Sequence, residues 1–139
     1  MSDENPLLPV FVTDAPDAIQ MYVGEVLPTT STDSRTLVSA TTNMALNSMF
    51  TFTCIATNAN PAASVVWSLG ATPLSNDVEV TQFDSTNADY DTYSTITTSP
   101  VTASECGMAL SCTTYHPQSE NSNPKTAQTT LRVGGMSKI

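Results

Sequence analysis

Charge is the first scarcity in this 139-residue chain, since only 12% of its residues are Asp, Glu, Lys or Arg, about half the share usual in globular domains. Cations are scarcer still: Arg35, Lys125, Arg132 and Lys138 stand against 13 acidic residues, for a net charge of −9. Four scattered cations make no basic patch to neutralise phosphates, so nucleic acid and anionic membrane are poor partners. Glycine is limited to 5 residues with no GxGxxG cluster, which removes a phosphate-cradling loop. Leu, Lys, Glu and Arg, the strong helix formers, are thinly represented, and a helical bundle is correspondingly disfavoured. No run of 18 apolar residues occurs, so no helical membrane span is expected. Met1 to Asn5 is polar and acidic, without the basic and apolar regions of a signal peptide. No Asn-X-Ser/Thr acceptor is present, which leaves the surface free of N-glycans for contact.

Hydroxyls take the place of charge. The chain carries 23 Thr and 16 Ser, and Thr favours strands. Its length suits one domain, expected over residues 17–134. Residues 1–16, with Pro6, Pro9 and Pro16, read as a linker or leading edge strand, and residues 135–139 as a tail. Strands are expected at Ile19 to Val26 and, short and at an edge, at Thr36 to Ala40, separated by a polar loop from Leu27 to Ser34. The pattern then sharpens. Phe50, Phe52, Cys54 and Ala56 alternate with Thr51 and Thr53, and Val65, Trp67 and Leu69 repeat the alternation after the turn cluster Asn58, Asn60, Pro61. Period two over such lengths marks half-buried strands. Gly70 to Asn76 breaks the pattern, and Val78 to Phe83 reads as a strand with Val78 and Val80 inward. Tyr93 to Thr98, Ala109 to Tyr115 and Thr126 to Val133 complete the set; Leu110, Cys112 and Thr114, then Ala127, Thr129, Leu131 and Val133, form the inward parity. Strands at this spacing, with no helix between them, predict an all-β antiparallel sandwich. Its Thr and Ser are expected mainly on the outward parity.

Cys54, Trp67 and Cys112 each fall on the apolar parity of a different strand. Inward cysteines 58 residues apart can be bridged only if their strands lie in opposing sheets, roughly 10 Å apart. A Trp 13 residues after the first Cys would then sit against the bridge, which is the Cys, Trp, Cys spacing of an immunoglobulin domain. Local motifs agree. Met49 to Trp67, MFTFTCIATNANPAASVVW, and Pro100 to Cys112, PVTASECGMALSC, resemble C2-type immunoglobulin domains of nectin- and nephrin-like cell-adhesion and immune-type receptors. Asn60, Pro61, Ala62 and Ala63 match their loop step, and Glu105, Gly107 and Leu110 their turn into the sixth strand. With Leu110 where Tyr is common, the hydroxyl bond of the tyrosine corner is missing. No Phe-Gly-X-Gly segment follows Cys112, unlike an antigen-receptor variable domain. The resemblance covers about residues 17–134 and implies an immunoglobulin-like sandwich with one inter-sheet disulfide and an extracellular setting.

Catalysis finds little support. The single His, His116, precedes Pro117 and is expected in an exposed hairpin loop; no nucleophile elbow accompanies any Ser. Cys106, Cys112 and His116 offer at most three zinc ligands where a structural site needs four. Asp77, Glu79, Asp84, Asp89 and Asp91 are the residues best suited to calcium, but they lack the Gly and distal Glu of an EF-hand loop and read as a solvated acidic edge. Neither metal nor cofactor is expected. Cys106 is left over once Cys54 and Cys112 pair, and is a candidate for an intermolecular disulfide. Outward parity brings Val66, Ser111, Thr113, Tyr115, Gln128 and Thr130 to one sheet face, low in charge and centred on one aromatic and one apolar residue. Such a face is a candidate interface, with Val66, Thr113, Tyr115, Gln128 and Thr130 as its core.

The sequence thus predicts a non-enzymatic recognition domain from the ectodomain of a membrane-anchored adhesion or immune-type receptor, contacting protein partners and self-association included. A structural spacer without a ligand and a soluble innate-immune binder of microbial surfaces are the alternatives.

Overall fold

The computed structural model describes residues 16–116 and 124–134; residues 1–15 of the expected linker, the tail and most of the loop after His116 lie outside the described residues. Among the described residues, ten strands form two five-stranded sheets. The first sheet is built from β1 (Ala18–Val23), β2 (Thr36–Leu37), β4 (Thr51–Ala59), β7 (Val78–Asp84) and β8 (Asp89–Thr97), in the order β2-β1-β4-β8-β7. The second contains β3 (Thr41–Met44), β5 (Ser64–Leu69), β6 (Thr72–Leu74), β9 (Ala109–Tyr115) and β10 (Thr126–Val133), in the order β3-β10-β9-β5-β6. All pairings are antiparallel except β3 with β10. The expected all-β sandwich is therefore present.

The alternating strands close on one core. Met21, Met44, Phe52, Trp67, Leu110 and Leu131 are all buried there, and Cys54 of β4 is bonded to Cys112 of β9 across the two sheets, with Cα atoms 6.6 Å apart. Trp67 lies directly opposite Cys112 in the β5–β9 register, so both side chains leave the same face of the sheet. Its indole N–H donates to Ser94 Oγ at 2.8 Å, which satisfies the one polar group that the ring takes into the core.

Val78 and Val80 do not face this core. Val78 is exposed, and Val80 lies opposite Tyr93 in the β7–β8 register and packs with Ile55, Tyr93 and Val26 on the outer face of the first sheet. A second apolar cluster therefore sits outside the sandwich. It is covered by the connection from β1 to β2, which leaves β1 at Gly24 with φ of +87°, a backbone region open mainly to glycine. Arg35, from the end of that connection, stands over the Tyr93 ring at 5.8 Å from its centroid, within cation–π range.

Thr92 and Ser94 lie inside the sandwich, against the expectation that hydroxyls sit mainly on the outward parity, whereas Thr129 is inward as its alternation predicts and Thr53 is outward but covered by the connection from β1 to β2. Thr53, Thr92, Ser94 and Thr129 are buried as completely as the apolar core, because each hydroxyl has a partner. Thr53 Oγ1 accepts the Val26 N–H at 3.0 Å, donates to the Gly24 carbonyl at 2.9 Å and lies 3.0 Å from Thr95 Oγ1. Thr92 Oγ1 donates to the Ala63 carbonyl at 2.7 Å, and Thr129 Oγ1 to the Ser39 carbonyl at 2.8 Å. Thr53→Val keeps the shape but orphans the Val26 N–H; a stability loss of about 1–3 kcal/mol is expected in urea unfolding. An unchanged midpoint would show that the connection is not pinned at this residue.

Candidate functional site

The outer face of β10, β9 and β5 brings the sequence-predicted interface residues together. Val66 lies opposite Thr113, and Thr113 opposite Thr126; Ser64 faces Tyr115, Ser111 faces Gln128, and Thr130 pairs with Ala109 on one side and Thr41 on the other. Val66 and Tyr115 are the two large apolar side chains standing free on it, 53% and 48% exposed. Between and around them lies a hydroxyl lattice. Thr113 and Thr126 join through their Oγ1 atoms at 3.1 Å, and Ser111 donates to Gln128 Oε1 at 3.4 Å. Gln128 is exposed, while Thr113 and Thr130 are half-buried by their neighbours.

Charge separates the two sheets. No Asp or Glu occurs in β3, β5, β6, β9 or β10, where Arg132 is the single charged residue. On and beside the other sheet are Asp17, Glu25, Asp33, Asp77, Glu79, Asp84, Asp89 and Asp91. Among the described residues, a chain of net charge −9 thus has one broad sheet without a carboxylate. Long-range repulsion hinders contact between like-charged surfaces, and these strands add no carboxylate to it.

The acidic residues of β7 and β8 hold local structure. Asp84 accepts from the Thr86 N–H at 2.9 Å and from Asn87 Nδ2 at 3.0 Å, closing the turn between the two strands. Asp91 accepts from the Asn58 N–H at 3.0 Å, and Glu79 from Asn76 Nδ2 at 2.8 Å. Among the described residues, no three His, Cys, Asp or Glu side chains gather in a way that would hold a metal ion.

His116 is not the exposed loop residue that Pro117 implied. It is 4% exposed, with Nε2 at 2.9 Å from the Pro61 carbonyl, and since a carbonyl only accepts, Nε2 carries the proton. The ring ties the end of β9 to the turn between β4 and β5. Cys106 is half-buried beside the core, and its Sγ accepts the Val133 N–H at 3.5 Å. In the preceding turn, Thr102 and Glu105 form a reciprocal capping box, and Leu110 fills the tyrosine-corner position as a fully buried core residue.

Residues 30–123 match the family described as CD80-like C2-set immunoglobulin domain. The chain belongs to this immunoglobulin family. No curated protein sequence matches it. Among solved structures, this immunoglobulin domain is similar to Rst D1-D2, at 13% identity and a TM-score of 0.63, over 86% of this chain and 49% of that one. It is similar to the full Ig1–Ig3 ectodomain of mouse nectin-like molecule 4, at 18% identity and a TM-score of 0.62, over 86% and 34% of the two chains. Bovine butyrophilin gives 9% identity and a TM-score of 0.60 over 91% and 48%. At such identities the likeness is one of fold, and the chain spans only about a third to a half of these proteins. The immunoglobulin fold with its inter-sheet disulfide fits an extracellular domain, since such bonds persist in oxidising compartments. Among the described residues no helix is long and apolar enough to cross a membrane. β1 precedes the family-matched span, yet its Ile19 and Met21 belong to the immunoglobulin core.

Proposed function

We propose that this immunoglobulin domain is a non-enzymatic recognition module of a cell-surface adhesion or immune-type receptor, and that it contacts protein partners, a second copy included, through the outer face of β5, β9 and β10. The observation that carries this reading is a carboxylate-free sheet with exposed Val66 and Tyr115 on an otherwise acidic molecule. Val66 and Tyr115 supply apolar and aromatic anchors, and Thr113, Gln128 and Thr130 supply the polar surround that specific interfaces use. Association of two copies buries little charge on this side, whereas the sheet bearing Asp77, Glu79 and Asp84 opposes it.

Sedimentation equilibrium over a concentration series, with and without reductant, separates the sources of association. Reversible dimers that persist in reductant and disappear in Val66→Asp are expected from the sheet face. Dimers seen only without reductant would assign association to Cys106, and a strict monomer in both conditions would remove the second copy from the proposal.

A further inference from the structure

A cleft of about 330 Å³ opens at the end of the sandwich remote from His116, between β6 and the segment that follows β8. Its interior is core surface: Ile96 and Val101 are almost fully buried, and Leu69 and Leu74 are half-buried along its wall. The cleft is at the small end of ligand pockets, large enough for one long side chain with part of its backbone. One charged residue lines it, Glu105, and no basic residue does.

The carboxylate of Glu105 is fixed. The Thr102 N–H and hydroxyl donate to Oε1 at 2.6 and 2.8 Å, and these bonds, the backbone one foremost, hold the carboxyl below the usual carboxylate range. Both use the same oxygen, so neither engages Oε2. A cleft with these apolar walls, hydroxyl residues at Ser75, Thr97, Thr98 and Ser99, and Glu105 as its one charged residue matches an unbranched alkyl chain ending in a compact, hydrogen-bonding cation. Arginine is a poorer match, because its planar fork is satisfied by both oxygens of a carboxylate, whereas an ammonium needs only one. An anionic amphiphile meets a carboxylate and no cation.

We propose that this cleft receives a lysine side chain of a partner protein, its methylenes against Leu69, Leu74 and Ile96 and its ammonium at Glu105. The site is separate from the β5–β9–β10 face and does not depend on that face being an interface.

The direct test titrates Nα-acetyl-lysine N-methylamide into the nitrogen-15-labelled full chain and follows the amide resonances. Saturable shifts are expected at Leu74, Ile96 and Glu105, with affinity weakened about tenfold when the probe is Nε-acetylated or replaced by its arginine counterpart. Glu105→Gln is expected to weaken lysine binding by a similar factor while keeping the turn, because Gln also completes a capping box. Ser75→Trp, at the cleft mouth, is expected to block it, and Tyr115→Asp to leave it unchanged. Equal affinity for the lysine and Nε-acetyl-lysine probes, undiminished binding by Glu105→Gln, or shifts confined to other surfaces would overturn the proposal.

Discussion

Replacing Trp67 with Ala is expected to lower the free energy of unfolding by about 3–5 kcal/mol, a large part of the roughly 5–15 kcal/mol that a domain of this kind has available. The side chain is 1% exposed and lies between the sheets beside Cys112. Its removal leaves a cavity among fully buried residues such as Phe52 and Leu110, whose strands are held in place by their sheets and cannot close around it. The loss is compounded at Ser94, whose Oγ gives up the indole donor and keeps only the Asn76 Nδ2 contact at 3.0 Å. Urea unfolding of the purified chain measures the effect as a lower midpoint at constant slope. A loss under about 1 kcal/mol would mean that Trp67 packs against something other than a rigid core.

Removal of the Cys54–Cys112 bond is expected to have an effect of similar size. The bridge closes a loop with a sequence separation of 58, and the chain-entropy model assigns such a loop roughly 4 kcal/mol through restriction of the unfolded state. The Cys54→Ala, Cys112→Ala pair should be compared with its parent in a Cys106→Ala background, so that no alternative pairing of the free thiol enters. The parent is expected to resist urea to a distinctly higher concentration. Coincident unfolding curves would show that the sheets are held by packing alone and that the bond adds nothing.

What the amino-acid pattern revealed, and what it hid, follows from where each strand lies. β4, β5, β9 and β10 line the core, so their inward side chains repeat with period two and the cysteines, Trp67, Val66 and Tyr115 fall on the expected faces. β7 is an edge strand, and its apolar Val80 is drawn to the outer cluster around Tyr93 instead of the sandwich interior. Parity alone does not disclose a second apolar layer, because that layer depends on the path of the connection carrying Val26 and Arg35. β3 and β6, of four and three residues, are too short for an alternation to register. Thr53, Thr92 and Ser94 read as surface residues by polarity, but hydroxyls can be buried without a large cost once they are hydrogen-bonded. His116 was hidden for the same reason, since its partner is the carbonyl of Pro61, 55 positions away. The candidate face and its low charge were legible residue by residue, whereas the absence of acidic residues from the whole sheet, with β3 and β6 included, becomes visible only when topology sorts the strands.

The claim that contact is made through the β5–β9–β10 face is tested most directly by aggregation of cells that display the full chain. Wild-type cells are expected to aggregate, Tyr115→Asp to abolish aggregation at equal display and equal thermal stability, and Phe83→Asp, at an exposed site on the acidic sheet, to leave it intact. Aggregation that survives Tyr115→Asp, or that is lost only in Phe83→Asp, would contradict the account and move the contact surface to the opposite side of the domain.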